Sequence, residues 1–269
     1  MTDISIIIPL HIFDGNTESL LKNAMDSILK NQETYTFGNL TPILVAPEGI
    51  IKDARKAIGG KYKYIECVNS TGDTDFCTQV NVAAGKVQTK HFSILEFDDT
   101  YTAKWFKMAH DYFYTNESVS LFLPIGIIWS ESAPGQYQYV NEIAWTGSFS
   151  NELGYLDYDC LQDYPSFNLT GGIFNTEDFN AIGGFKPSIK VAFNYELLLR
   201  MAKKEMKIFV VPKEGYLHLI GRKGSLTDEY AASMDKNDIK KWFDLAKAEC
   251  IFKEDRKTTI SGIKEEVVV

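Results

Sequence analysis

The stretch Ile94-Leu95-Glu96-Phe97-Asp98-Asp99 ends an apolar run with three carboxylates. The residues from His91 onward predict a short buried strand, and the acidic residues predict its exit from a sheet. Because side chains at i and i+2 of an extended chain share a face, Glu96 and Asp98 should point the same way while Phe97 turns into the core. Such a pair of carboxylates suits Mg²⁺ or Mn²⁺ bound together with substrate phosphates. An acidic turn that only closes the strand is the alternative, because Asp is common in turns.

Strand and helix patterns alternate before this stretch. The apolar, β-branched runs predict strands at Ile4–Leu10, Pro42–Pro47, Tyr62–Val68 and His91–Leu95. Helical spacing predicts helices between them at Glu18–Lys30, with Thr17 or Asn16 as the cap, at Ile51–Ile58 and at Asp75–Ala84. This alternation is typical of an open, mostly parallel α/β sheet, in which ligands bind at the carboxyl ends of the strands. The acidic stretch lies at such an end.

The second half of the chain is less regular. Its patterns predict a helix at Ala103–Tyr114, a strand at Ser118–Ile128, a strand at Leu169–Phe174, a helix at Asn194–Lys204 capped by Asn194, a strand at Ile208–Val211 and a helix at Asp235–Phe252. Residues 130–168 show no clear period and predict a partly irregular segment over the site. No internal repeat or linker is evident, so one domain is the better count.

Composition excludes several classes of protein. The chain has 269 residues, 45% of them hydrophobic, which is typical of a globular protein. A net charge of −8 argues against a broad nucleic-acid or anionic-membrane surface. The four cysteines form no C-x-x-C pair, so neither a zinc knuckle nor a disulfide framework is indicated. The first residues lack a basic signal segment, and Leu121–Trp129 is interrupted by Pro124 and Gly126. We therefore expect a cytoplasmic protein without a transmembrane segment.

Four separated stretches have the order and spacing of the motifs of one enzyme family. They are Ile4-Ser5-Ile6-Ile7-Ile8-Pro9, Leu95-Glu96-Phe97-Asp98-Asp99, Ile182-Gly183-Gly184-Phe185 with the following Phe193-Asn194-Tyr195-Glu196-Leu197-Leu198-Leu199-Arg200, and Arg222-Lys223-Gly224-Ser225-Leu226-Thr227. Together they resemble the opening strand, the acidic metal motif, the Gly-Gly-Phe segment with its acidic helix, and the basic segment of the family 2 glycosyltransferases. The match covers about residues 4–227. Glu96 stands where that family usually has Asp.

The resemblance implies an α/β fold of the GT-A type, with a Rossmann-like nucleotide-binding half and a mostly parallel central sheet flanked by helices. It implies a glycosyltransferase domain over residues 1–230, with a nucleotide-sugar half at about 1–100 and an acceptor half at about 101–230, followed by a C-terminal helix and tail at 231–269. The implied reaction transfers a sugar from a nucleoside-diphosphate sugar to a hydroxyl acceptor with inversion, using Mn²⁺ or Mg²⁺. The acceptor would be a glycan, a lipid-linked molecule or a macromolecule, and the acidic balance makes nucleic acid the less expected one.

The resemblance also implies a metal site. Asp98 is the first choice for direct metal contact, with Glu96 bridging to ribose or metal and Asp99 in support. A cation held there would stabilise the negative charge that develops on the nucleoside-diphosphate leaving group. His218 is a further candidate metal ligand or phosphate contact, although a lone His in an apolar run is more often structural.

A nucleotide pocket is expected at the ends of the first two strands. Pro9 and His11 could line it, and Glu48 could accept hydrogen bonds from base or ribose. Arg222 and Lys223 could neutralise the diphosphate, because guanidinium groups are well shaped for phosphate; a solvated basic turn is the alternative. The family commonly has two acids after its second strand, whereas this chain has Pro47-Glu48, so the donor nucleotide stays open.

The catalytic base is the main departure from the family. Where the family usually has Glu-Asp, with Asp as the base, this chain has Phe193-Asn194, and Asn cannot take a proton. Asn194 could orient a hydroxyl or cap the helix. The nearest replacement is Glu196, for which a first-turn interaction with the helix dipole is the alternative. Further candidates for the base are Asp157, Asp159 and Asp163.

Other functions remain open at this point. The loss of Asp at position 194 favours a catalytically silent GT-A domain that binds nucleotide sugar or glycan. A sugar nucleotidyltransferase is a third hypothesis, weakened because the first strand lacks a Gly-rich phosphate loop, and the missing G-x-G-x-x-G after Ile8 disfavours a dinucleotide dehydrogenase. Gly171-Gly172 could let the backbone approach sugar or acceptor, with a simple turn as the alternative.

Overall fold

The first half of the chain alternates strand and helix as the sequence predicts. A computed structural model describes residues 1–133, 136–143, 154–163, 167–189, 191–221 and 234–248. The elements of the first half are β1 (Ile4–Pro9), α1 (Gly15–Thr34), β2 (Leu40–Ala46), α2 (Glu48–Ile58), β3 (Ile65–Val68), α3 (Phe76–Ala84) and β4 (His91–Ile94). β3 begins three residues later than expected from Tyr62. Asp14, rather than Thr17 or Asn16, caps α1, because its carboxylate accepts the backbone N–H groups of Asn16 and Thr17.

The second half contains more strand than the sequence predicts. Its elements are β5 (Thr100–Tyr101), α4 (Trp105–Thr115), β6 (Val119–Ala133), β7 (Gln136–Ile143), α5 (Tyr158–Asp163), β8 (Ile173–Asn175), α6 (Thr176–Ala181), α7 (Phe193–Lys203) and β9 (Lys207–Ile220). Residues 236–248 form a further helix. The expectation of an irregular segment at 130–168 is wrong for residues 130–143, where β6 continues and pairs with β7 as an antiparallel hairpin.

The strands described join one sheet in the order β3-β2-β1-β4-β8-β6-β9-β5, with β7 beside β6. β3, β2, β1 and β4 are parallel, as predicted for the nucleotide-sugar half. From β8 onward the sheet is mixed, since β8 is antiparallel to both β4 and β6, whereas β6 and β9 are parallel. The arrangement is an α/β sheet flanked by helices, with its first four strands delivering their carboxyl ends to one edge.

Two apolar layers cover the sheet. Ile7 faces a core that includes residues of α3, α6 and α7, whereas Ile6 and Ile8 face a core that includes residues of α1, α2 and α4. This alternation buries β1 on both faces and explains its continuous run of apolar residues. The helix over 236–248 joins the first core, where Ala246 is fully buried.

The long strands β6 and β9 curve together. Their register shifts between Leu123 and Ile125, where β9 contributes extra residues between Val210 and Glu214. Pro124 and Pro212 lie at this irregularity, and neither has a backbone N–H to donate to the sheet. Beyond it the pairing resumes as far as Ile220, which extends β9 nine residues past the predicted end at Val211.

His91 supplies an acid-sensitive element in this core. Burial, together with nearby Lys90, lowers the pKa of His91 from 6.5 to about 4. Between these values the unfolded chain binds a proton that the folded chain does not, so the free energy of unfolding should fall as pH is lowered from 6.5 towards 4, by up to about 3 kcal/mol. Replacing His91 by Leu should remove this loss, as urea unfolding of both proteins at pH 7.5, 6, 5 and 4 would show. Identical pH dependence of the two proteins would contradict the assignment.

Candidate functional site

The acidic stretch lies where the sequence predicts, at the carboxyl end of β4. Leu95 continues the parallel pairing beyond the strand, because its N–H donates to the carbonyl of Ile7 at 2.9 Å. Phe97 is buried, as expected, while Glu96 and Asp98 are only partly buried. Burial alternates over these residues as predicted, but residues 97–98 form a turn and are not extended, so a shared face for Glu96 and Asp98 stays a prediction.

Asp99 instead points into the protein and bonds to β9. Its Oδ1 accepts the backbone N–H of Leu219 at 2.8 Å, and its Oδ2 lies 2.8 Å from Nδ1 of His218. Burial alone would lower the pKa of His218, but Asp99, Glu96 and Asp98 together raise it from 6.5 to about 9. The bond to Asp99 fixes the orientation of the imidazole and leaves Nε2 as the nitrogen that can bind a ligand.

Glu96, Asp99 and His218 together could hold a metal ion. Each offers one ligand atom, and these atoms all lie within 4.8 Å of one another. Two carboxylates and one imidazole fit Mn²⁺, whereas Ca²⁺ prefers oxygen ligands alone. The sequence favoured Asp98 over Asp99 for direct contact; Asp98 is not a member of this group of three, although its charge acts on His218. We call Glu96, Asp98, Asp99 and His218 the acidic cluster.

A rigid layer of aromatic and glycine residues supports the acidic cluster. The hydroxyl oxygen of buried Tyr216 accepts the N–H of Glu96 at 3.1 Å. Gly171 donates its N–H to the carbonyl of Ile94 at 2.8 Å, and its own carbonyl accepts the indole N–H of Trp105 at 3.0 Å. A Cβ at Gly171 would lie 2.5 Å from the Tyr216 ring, and the backbone φ there is +79°. The close approach expected at this glycine is therefore made to Tyr216 within the protein.

The predicted nucleotide contacts lie at the same edge of the sheet. Pro9 ends β1, and the partly buried ring of His11 packs at 5.2 Å against Phe97. Glu48 begins α2 directly after β2; its exposed carboxylate bonds to Lys52 at 2.8 Å, which lowers its pKa. Arg222 and Lys223 lie outside the described residues.

Asn69 is a polar residue at this edge that the sequence analysis missed. It follows β3, is buried, and donates its backbone N–H to the carbonyl of Ala46 at 2.8 Å. Its side-chain oxygen accepts the N–H of Thr71 at 3.0 Å and so shapes the loop before α3. Its position after a parallel strand, where Asn commonly begins a loop, was the available signal.

Glu196 belongs to a buried ion network. Its side chain is fully buried, and its two oxygens bond to Nε and Nη2 of Arg200, each at 2.8 Å. Lys186 lies 2.7 Å from Oε1, and Arg200 also donates to the carbonyls of Ile182 and Gly184. A carboxylate held by two cations and closed to solvent is poorly placed to take a proton from an acceptor, so this geometry does not favour Glu196 as the base.

Asn194 does not cap α7, so that expectation is wrong. Ala192 occupies the capping position, and Asn194 lies in the first turn. Its amide Nδ2 faces Oδ1 of Asn168 at 3.4 Å, and its own buried Oδ1 has no hydrogen-bond partner in the part of the chain described. The residue faces another amide rather than the helix end.

Comparison with solved structures agrees with this architecture. S. aureus TarS 1-349 in complex with UDP-GlcNAc aligns with a TM-score of 0.61 at 16% identity, over 94% of this chain and 67% of that chain. The complex of TarS 1-349 with UDP aligns with a TM-score of 0.51 at 15% identity, over 95% of this chain and 72% of that one. In a further TarS 1-349 structure, with a TM-score of 0.56, this chain covers 60% of the matched chain. No family model and no curated protein matches the sequence.

The fold is therefore of the GT-A type, as the sequence resemblance implies. At 16% identity the comparison establishes the fold and leaves membership of family 2 a prediction. None of the helices in the described ranges is both long and apolar enough to cross a membrane.

The Asp99–His218 pair makes a first prediction at the site. With no metal added, NMR titration should give His218 a pKa of about 9, and Asp99→Asn should lower this pKa, because the carboxylate that opposes the effect of burial is removed. The pair should stabilise the fold fully below pH 6.5 and lose this contribution as pH rises through about 9. Asp111→Asn, at an exposed residue, is the control. An unchanged pKa in Asp99→Asn would contradict the pairing.

The Glu196 network makes a second prediction. Glu196→Gln should lower the free energy of unfolding by about 3 kcal/mol, since it leaves the buried Arg200 and Lys186 charges without their carboxylate. Glu18→Gln removes a comparable i,i+4 pair at the surface and should cost less than about 0.5 kcal/mol. Urea unfolding of both variants measures the difference. A Glu196→Gln protein as stable as the wild type would refute the structural role.

Proposed function

We propose that the protein is a metal-dependent inverting glycosyltransferase that moves a sugar from a nucleoside-diphosphate sugar to a hydroxyl acceptor. The observation that carries the proposal is the acidic cluster at the carboxyl end of β4 in a sheet of the GT-A type. Carboxylates at this edge match the need of a diphosphate leaving group for a bound cation. The TarS complexes with UDP-GlcNAc and with UDP support a nucleotide-sugar donor.

Each member of the acidic cluster takes a role that its surroundings allow. Glu96 and Asp98, the two partly buried carboxylates, would hold Mn²⁺ or Mg²⁺, because both oxygens of Asp99 already bond to β9. Asp99, buried and bonded to β9, orients His218, whose Nε2 would reach the metal or a phosphate oxygen. The bound cation would supply electrostatic stabilisation of the departing diphosphate.

The nucleotide would lie across the ends of β1, β2 and β3. Pro9 and His11 would line one side of that pocket, and Glu48 would accept hydrogen bonds from base or ribose after leaving Lys52. Arg222 and Lys223 are proposed to neutralise the diphosphate. The acceptor is proposed to be a glycan, a lipid-linked molecule or a macromolecule, with nucleic acid disfavoured by the net charge of −8.

The acceptor hydroxyl needs a base other than Glu196 if the ion network persists during turnover. Asp157, Asp159 and Asp163 stay candidates from the sequence. Asp157, just before α5, accepts the N–H of Cys160 at 2.7 Å, and the side chain of Asp163 lies outside what the structure describes. Asn194 would orient a hydroxyl and not deprotonate it.

A catalytically silent domain that binds nucleotide sugar is the second candidate. The buried ion network of Glu196 and the amide at Asn194 both favour it, because neither position supplies an available carboxylate. Turnover distinguishes the two candidates, since both would bind the donor but only the first would release the nucleoside diphosphate.

The test is a thermal-shift screen of nucleotide sugars with and without Mn²⁺, followed by assay of nucleoside-diphosphate release. Specific binding should raise the melting temperature by mass action. Glu96→Gln and Asp98→Asn should each reduce Mn²⁺-dependent release at least about 100-fold, because each removes charge from the cation site. Asp111→Asn is the control for charge alone. Mn²⁺-dependent binding of a nucleotide sugar without release of nucleoside diphosphate would favour the silent domain. Binding that is unchanged by Mn²⁺ and by both substitutions would overturn the metal site.

A further inference from the structure

A small neutral polar group lies beside the acidic cluster. Asn168 and Thr170 precede β8, and Asn194 lies in the first turn of α7. Oδ1 of Asn168 accepts the N–H of Thr170 at 3.1 Å and faces Nδ2 of Asn194 at 3.4 Å. One oxygen atom therefore connects all three residues, which we call the amide–hydroxyl group.

Two atoms of the amide–hydroxyl group have unmet hydrogen-bonding capacity. Thr170 is 2% exposed, and among the described residues no partner lies within hydrogen-bonding distance and angle of its buried Oγ1 or of the buried Oδ1 of Asn194. Oγ1 lies near enough to the Tyr216 hydroxyl to lower the pKa of that phenol slightly, against a larger rise caused by burial. A buried polar atom without a partner is costly, so a ligand that bonds to it is favoured.

The backbone places this group next to the acidic cluster. Gly171, adjacent to Thr170, bonds to the carbonyl of Ile94 and packs on Tyr216. Tyr216 in turn accepts the N–H of Glu96. These contacts connect Thr170 to the backbone of Glu96 and so bring the amide–hydroxyl group close to the acidic cluster.

We propose that Asn168, Thr170 and Asn194 form a neutral subsite that binds a hydroxyl group of the transferred sugar. The proposal rests on the proposed function, which supplies a nucleotide sugar at the acidic cluster. The Oδ1 of Asn194 would accept the sugar hydroxyl's proton, and the Thr170 hydroxyl would donate to its oxygen. Neither residue carries charge, so the subsite distinguishes hydroxyl patterns without adding to the binding of the diphosphate.

Isothermal titration with UDP and with UDP-GlcNAc, both in the presence of Mn²⁺, tests the subsite. Thr170→Val keeps the shape of the side chain and removes its hydroxyl. It should weaken UDP-GlcNAc binding about 10-fold while changing UDP binding less than about 2-fold, since an unpaired sugar hydroxyl is penalised but the diphosphate contacts remain. Thr170→Ser restores a hydroxyl and should recover most of the lost affinity. Asn194→Ala should behave like Thr170→Val.

The controls are Thr115→Val and Asn116→Ala, which make the same changes at exposed residues at the end of α4. Equal weakening of UDP and UDP-GlcNAc by Thr170→Val, or no weakening of either, would overturn the subsite while leaving the proposed function intact. Failure of Thr170→Ser to recover affinity would assign the effect to packing and reject a role for the hydroxyl. Wild-type protein that binds neither nucleotide would instead refute a UDP-sugar donor and the subsite with it.

Discussion

The buried carboxylate of Asp99 connects the segment after β4 to β9, beside the expected metal site. It leaves β4 on one side and bonds to the backbone and the imidazole of β9 on the other. A buried charge is tolerated only when it is paired and hydrogen-bonded, and here both oxygens have partners. These bonds connect the turn that follows β4 to β9, and Glu96 and Asp98 lie in this turn, partly buried.

The same principle explains the buried position of Glu196. The carboxylate of Glu196 bonds to Arg200, and Arg200 also donates to the carbonyl of Gly184. The charge of Glu196 therefore stabilises the fold. Asn194, where the resemblance leads one to expect Asp, instead faces the amide of Asn168. The amides of Asn168 and Asn194 are neutral, in contrast to the carboxylates of the acidic cluster. Under the proposed function, the acidic cluster would bind the cation and diphosphate, and the neutral group a sugar hydroxyl.

Where sequence-based prediction failed, a local signal was outweighed by pairing between distant strands. Pro212 and Gly215 are typical strand breakers, yet β9 continues past them because it bulges opposite Pro124 of β6 and then resumes its pairing with that strand. Because the sequence predicted that β9 ends at Val211, His218 was not assigned to the strand that positions it. Likewise, the polar composition after residue 130 indicated a loop, whereas the cross-strand pairing of β6 with β7 makes a hairpin. The whole basic motif, residues 222–227, lies outside what the structure describes.

The sequence by itself determined the parallel half of the sheet and the place of the acidic stretch. Both follow from local patterns, since buried parallel strands require continuous apolar runs and their exits collect polar residues. Only the tertiary structure decided which carboxylate is buried, because Asp98 and Asp99 are identical residues that differ only in the direction they face. It alone brought His218 to Asp99 across 119 positions of chain and enclosed Glu196 between Arg200 and Lys186. Partners so far apart in sequence meet through the packing of strands, and no local pattern encodes that meeting.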